Sequence, residues 1–298
     1  MTMHGISRSE LQAMLDQLEQ AISNHQKWHE FLARILVCRL PFDPRLASPN
    51  AHRECAFGAW YHGNASDKLR AYPAFGAMEA KHAEMHELAS ALLHGSAAGS
   101  VVDAGDYDHF TQQMAQFRLE LQTLKAELET AVGNLDPLTG ANNRIGMLTW
   151  LRNQQELVRR SVLPFSLAMI DLDHFKLVND NHGHMAGDMV LMGVSRYLLD
   201  HIRPYDRLYR YGGEEFLLCM QGVDLGASHV LVDRLRDGLA GSPVTIDGGQ
   251  ISCNVSCGVA PVDPELPVET AIKRADEALY VAKARGRNRT QVWEPATK

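Results

Sequence analysis

The sequence predicts two domains: an all-α helical bundle over residues 1–132, and an α/β domain over residues 133–298 with a central sheet flanked by helices. Length is the first observation, because 298 residues is twice the roughly 150 that a domain usually takes. Residue usage is the second: nine of the 14 histidines precede residue 110, whereas loops rich in Gly and Asp appear after residue 132. Periodicity is the third. It is helical in the first part and alternates between strand and helix in the second.

In the first part, Leu11, Leu15, Leu18, Ile22, His25, His29, Leu32 and Leu36 recur every three or four residues, one face of one helix. That helix is predicted to stop before Pro41, since residues preceding proline are pushed out of the helical region. Phe75, Met78, His82, Met85, Ala89 and Leu92 make a second stripe. Phe110, Met114, Phe117, Leu121, Leu124, Leu128 and Ala131 make a third at heptad spacing, ended by Gly133-Asn134. A heptad stripe suits pairing with a partner chain.

In the second part, Phe165–Asp171 reads as a buried strand and Met185–Arg203 as a helix. Arg207–Tyr211 and Glu215–Met220 read as a hairpin around Gly212-Gly213, glycines expected to take positive φ. Leu225–Ala240 is a predicted helix, Ile251–Val259 a strand, Val268–Arg285 a helix and Arg289–Trp293 a last short strand. Cys253 and Cys257 are expected on one face of their strand, as core residues.

Composition narrows the function. Hydrophobic residues at 45% and charged residues at 22% exclude disordered and low-complexity classes. A net charge of −7 argues against nucleic acid as a partner but leaves room for a small anion in a local basic pocket. Five cysteines, an odd number in a chain this long, suggest reduced thiols rather than a disulfide framework. No charged start leads into an apolar run, and no uncharged apolar run reaches 18 residues. A cytosolic protein without membrane partner is therefore expected.

His82 and His86 sit one helical turn apart on the same face, a natural pair of metal ligands. With His25 and Cys55 they would offer three imidazole nitrogens and one thiolate, a closed tetrahedral set suited to Zn²⁺. Spacing alone does not choose His25 over His29, and His52 and His62 bracket Cys55 as competitors. The bland alternative is a core histidine satisfied by hydrogen bonds. Taken together, His25-x-x-Trp28, Cys55-x-Phe57-Gly58-x-Trp60 and His82-x-x-x-His86 resemble the chemoreceptor zinc-binding (CZB) domain over residues 8–130. The resemblance implies a four-helix bundle, a homodimer, and one Zn²⁺ per domain held by His25, Cys55, His82 and His86.

The strand ending at Asp171 is followed five residues on by Lys176, a pairing able to hold a metal and a phosphate together. Gly212-Gly213-Glu214-Glu215-Phe216 places two acids at a hairpin tip. Carboxylates from adjacent strands can clamp Mg²⁺ ions beside a triphosphate. A solvated acidic turn is the alternative. The chain lacks GxxxxGK[ST] and so is no P-loop enzyme.

The companions of this turn carry a second resemblance. They are Asp136-x-Leu138-Thr139-Gly140-x-x-Asn143-Arg144, the run from Asp171-x-Asp173-x-Phe175-Lys176 to Gly187-Asp188, Arg210-Tyr211 before the turn, and Ala275-Asp276 through Gly286-Arg287-Asn288. Residues 134–294 resemble the GGDEF domain of diguanylate cyclases, a nucleotidyl-cyclase-like fold in which GGEEF is an accepted variant. The implied reaction condenses two GTP into cyclic di-GMP and two pyrophosphates, each of two facing domains holding one GTP. The resemblance implies two Mg²⁺ bound by Asp171, Glu214 and the backbone carbonyl of Leu172. Asn179 and Asp188 would read guanine. Lys176, Lys283 and Arg287 would hold the β and γ phosphates. Glu215 would bind metal or activate the 3′-OH, so that Glu214, Glu215 and Lys176 form the catalytic set. Arg203-x-x-Asp206, with five residues between Asp206 and Gly212, resembles the family's product-inhibition site. Ala141 replaces a usual Leu, a change that bears on packing.

The whole resembles a zinc-sensing diguanylate cyclase. Zinc on the bundle is expected to hold the two catalytic domains unproductive through the helix Asp108–Val132. Three rivals are a catalytically inactive cyclic di-GMP receptor, a cyclase making a mononucleotide product, and a zinc buffer.

Overall fold

The computed structural model describes residues 6–160, 163–247 and 249–295. The chain divides into two compact units, Met1–Val132 and Gly133–Lys298.

The first unit opens with helix α1 (Arg8–Cys38), started by a capping box: Ser7 Oγ accepts from the Glu10 N–H, and the Glu10 carboxylate accepts from the Ser7 N–H. It stops at Cys38, ahead of Pro41, where Arg39 turns left-handed. Its buried face includes Leu11, Leu15, Leu18, His25, Leu32 and Leu36. The chain then breaks into short pieces: a tight turn at Pro44–Ala47, α2 (Ala51–Glu54), α3 (Ala56–Ala59), a wide turn at Trp60–Asn64 and α4 (Asp67–Arg70). These pack on α1 and on α5 (Pro73–Ala97), so a broken string of helical turns takes the place of one long bundle helix. Helix α6 (Ala104–Gly133) completes the unit.

The heptad stripe of α6 corrects an expectation. Phe110, Met114, Phe117, Leu121, Leu124 and Leu128 are all buried within their own subunit. Spacing reports that a helix face is covered, not which chain covers it. Any partner contact of α6 must use its other faces, where Leu119 stands exposed.

The second unit runs α7 (Met147–Arg159), β1 (Phe165–Leu172), α8 (Phe175–His182), α9 (His184–His201), β2 (Arg207–Arg210), β3 (Glu215–Gln221), α10 (Leu225–Ala240), β4 (Val244–Ile246), β5 (Gly249–Ile251), β6 (Val255–Pro261), α11 (Val268–Ala284) and β7 (Thr290–Val292). The sheet order is β2-β3-β1-β6-β7, with β1 antiparallel to both neighbours and β7 parallel to β6. Strand β1 is buried throughout and divides its side chains by parity. Ala168, Ile170 and Leu172 pack with Val194 and Leu198 of α9 and Leu231 of α10. Leu167 and Met169 pack on the other face with Leu151 of α7 and Ala275 and Leu279 of α11. Asp171 shares the parity of Leu167, which turns it toward α11. Ala141 is fully buried.

Three further expectations need correction. Ile251 belongs to the small β4-β5 hairpin, and Cys253 lies in the connection before β6. Cys253 and Cys257 therefore share one core cluster without sharing a strand. Neither Gly212 nor Gly213 has positive φ; four residues, Tyr211–Glu214, span the turn, which relaxes the demand of a two-residue hairpin. A Cβ at Gly212 would meet only the Glu215 side chain, whose carboxylate end is free to swing aside.

Candidate metal centre and candidate active site

In the helical unit, α1 supplies His25, and α5 supplies His82 and His86 one turn apart. Ligand atoms of these three buried histidines all lie within 4.8 Å of one another. Cys55 adjoins them, its Sγ 3.5 Å from His82 Nε2, where it ends α2 and caps α3 by accepting the Gly58 N–H. His29 stacks on Phe110 instead, and His62 faces Glu79.

Trp28, Phe57 and Phe117 wall the cluster in: Trp28 lies 4.4 Å from the His86 ring, and Phe117 lies 5.0 Å from that of His25. Burial drives the histidines toward the neutral form, taking His25 and His86 down to about 3 and His82 to about 2. Neutral imidazoles are what a metal requires. Among the described residues, His25 Nε2 and both ring nitrogens of His86 have no hydrogen-bond partner. Orphaned buried nitrogens beside a thiol fit Zn²⁺. A cavity of about 510 Å³, lined in part by His25, Trp28, Asp43, Glu54, Cys55 and His86, opens beside them.

In the sheet unit, Asp171 at the end of β1 pairs across the ladder with Glu215 at the start of β3. The Leu172 N–H donates to the Glu214 carbonyl, which ties the turn to the same strand end. Lys283 Nζ reaches in from α11, 2.8 Å from Asp171 Oδ2. Burial raises the carboxyl of Asp171 even with Lys283 opposing it. Burial also raises Glu214 and Glu215, and the charge of Asp171 adds to both. Three crowded carboxylates beside one ammonium fit a divalent cation, which would stabilise their ionised forms.

The nucleotide-facing candidates spread outward from this point. Asn179 lies on α8 against the start of α9, so close that a Cβ on Gly187 would meet its Oδ1 at 2.0 Å; Asp188 follows immediately and is exposed. Lys176 is exposed on the first turn of α8, and Arg287 is exposed in the loop after α11. Asp206 is buried, accepting the Arg203 N–H at 3.2 Å and the Gln221 N–H at 3.3 Å, while Arg203 is exposed. Asp206 thus closes the turn that presents Arg203.

Sequence reasoning missed one support. Arg210 joins Asp136 at 3.1 Å and donates to the Gly213 carbonyl at 2.9 Å, bracing the signature turn. The spacing of Asp136 and Thr139 carried a signal, because both the amide and the hydroxyl of Thr139 donate to Asp136 Oδ1.

Comparison with known proteins identifies both units. Residues 133–289 match the family described as diguanylate cyclase, GGDEF domain, and residues 25–93 match the chemoreceptor zinc-binding domain. The chain is 32% identical to diguanylate cyclase DgcZ of Escherichia coli K12 over 94% of each protein. The coiled coil and GGDEF domain of DgcB from Caulobacter crescentus, solved with c-di-GMP, superposes with a TM-score of 0.55 at 26% identity, covering 61% of this chain and 98% of that one. Diguanylate cyclase SiaD of Pseudomonas aeruginosa, solved with its activator SiaC, gives a TM-score of 0.54 at 29% identity, covering 80% of this chain and 99% of that one. The carboxylate turn and the buried histidines thus stand in known company: the chain belongs to the diguanylate cyclase family, an enzyme that joins a GGDEF domain to a chemoreceptor-type zinc-binding domain.

Proposed function

We propose that the protein condenses two GTP into cyclic di-GMP and two pyrophosphates as a homodimer, restrained by Zn²⁺ on the helical unit and by its own product. The observation that carries the catalytic part is the meeting of Asp171, Glu214 and Glu215 beside Lys283. Asp171, Glu214 and the Leu172 carbonyl would hold two Mg²⁺; bound there, magnesium supplies Lewis-acid stabilisation of the reacting phosphates. Lys176, Lys283 and Arg287 orient the β and γ phosphates. Asn179 and Asp188 select guanine, since a base that left their hydrogen-bonding atoms unpaired would bind poorly. Glu215 is the remaining acid near the reacting hydroxyl. The 3′-OH of each GTP attacks the α-phosphate of the other and pyrophosphate leaves, so two copies must face each other. Positioning then supplies much of the rate.

One Zn²⁺ held by His25, Cys55, His82 and His86 would inhibit by binding the unproductive arrangement of the dimer more tightly than the productive one. Product would bind at Arg203, with Asp206 fixing that turn. GTP as substrate argues for a cytosolic location; among the described residues no helix is long and apolar enough to cross a membrane. An inactive receptor is disfavoured by an intact set of carboxylates and phosphate-binding cations.

The test is GTP turnover with Mg²⁺, with the product identified by mass. Cyclic di-GMP is expected. A cyclic mononucleotide, or binding of cyclic di-GMP without turnover in either zinc state, would replace this reading.

A further inference from the structure

The loop that carries Arg287 is built in an unusual way. Arg287 and Asn288 both take left-handed backbone, with φ of 63° and 42°. Two consecutive side-chain-bearing residues rarely hold this conformation unless their surroundings enforce it. Here the grip comes from two directions. The Asn288 N–H donates to Asp173 Oδ2 at 2.9 Å, and the Ser256 hydroxyl donates to Asp173 Oδ1 at 2.7 Å. Asp173 itself is anchored by its N–H to the Asn254 carbonyl at 2.8 Å. From α10, Arg236 Nη1 donates to Asn288 Oδ1 at 3.0 Å, while its other nitrogens pair with Asp233 at 2.9 Å and Asp237 at 2.6 Å. The Arg236 side chain is only 11% exposed.

We infer that Asp173 and Arg236 are positioning residues that fix the left-handed Arg287-Asn288 pair and so pre-set the Arg287 guanidinium for the polyphosphate of GTP. Asp173 stands two residues after Asp171, yet both of its oxygens are engaged by Ser256 and the loop. Its charge acts on the loop backbone, through a charge-assisted bond stronger than a neutral one. This assignment rests on the reading of Arg287 as a phosphate-binding residue.

The test uses the full chain, with 3′-deoxy-GTP and GMP as binding probes and GTP as substrate. The first probe binds without a hydroxyl to react, and the second lacks the β and γ phosphates. Asp173→Ala is expected to weaken 3′-deoxy-GTP about tenfold and to raise the KM for GTP similarly, with GMP affinity held within about twofold. Arg236→Met is expected to show the same pattern more weakly. In an Arg287→Ala background, Asp173→Ala is expected to add less than about twofold, because it acts through the side chain already removed.

Equal losses for both probes, or additive losses in the double variant, would overturn the inference. So would a shifted Mg²⁺ half-saturation with unchanged nucleotide affinity, which would make Asp173 a metal ligand. Should Asp173→Ala fail to fold, Asn288→Gly against Asn288→Ala decides the point. Glycine accepts the left-handed backbone, so it must retain more 3′-deoxy-GTP affinity than alanine, and equal losses overturn the inference. If the wild-type chain makes no cyclic di-GMP, the functional reading falls, while the binding cycle still tests the loop independently.

Discussion

The helical unit and the sheet unit each gather electron-pair donors around a point, by opposite means. Around His25, His82 and His86 the walls are aromatic, and burial holds the donors neutral. Around Asp171 the donors are acids at a partly open strand end, crowded until burial and mutual repulsion raise them, with Lys283 as the counter-charge. Imidazole and thiolate behind aromatic walls suit a borderline metal that stays. Carboxylates at an open edge suit a hard cation that comes and goes with a nucleotide. Donor type and burial together set the two candidate sites apart.

The largest expected effect breaks one site and spares the other. Glu214→Gln should lower GTP turnover by at least about a hundredfold, since a group neutralising transition-state charge is lost, while zinc content measured by metal analysis stays that of the wild type. Phe117→Ala reverses the selection. Phe117 is fully buried beside His25, His82 and Phe57. Its loss should destabilise the helical unit by about 3–5 kcal/mol, seen as a lower Tm for loss of helical signal, with turnover by chelator-stripped protein little changed. Zinc itself should act as a ligand of the folded helical unit. Free metal at a hundred times Kd should add about 2.7 kcal/mol, so the helical transition in calorimetry rises with zinc and returns on chelation.

The smallest effect concerns the α1 cap. The Ser7 amide, the Lys68 ammonium and the Ser7 hydroxyl together lower Glu10 from 4.5 to about 2. A lowered carboxyl favours the folded state above pH 4.5 and loses that contribution as pH falls toward 2. Glu10→Gln should therefore cost less than about 1 kcal/mol at neutral pH, given its exposure. The difference from wild type in Tm should vanish near pH 2.

Much of both units was legible because apolar periodicity reports burial directly. The α1 and α5 stripes, the β1 run and the end of α10 all followed from it. What stayed hidden had little periodicity to show. Helix α7 carries Gln155 in the midst of its buried face, where its amide donates to the Asp263 and Leu266 carbonyls. Strands β4 and β5 are three residues each, too short for an alternation to register. At the sites, spacing paired His82 with His86 but left His25 and His29 level, and only the resemblance to the zinc-binding domain favoured His25, because the packing of α1 on α5 is long-range. The Asp173 contacts join residues far apart in sequence and leave no local trace.

Under the proposed function, zinc in the helical unit restrains the carboxylate site of the sheet unit. The most direct measurement is the initial rate of cyclic di-GMP formation by zinc-loaded protein, by chelator-stripped protein, and after zinc is restored, all at saturating GTP and Mg²⁺. The rate should rise on stripping and fall again on restoration, with His82→Ala already fast and indifferent to zinc. A rate unchanged while zinc demonstrably binds, or one that rises with zinc, would rule this restraint out.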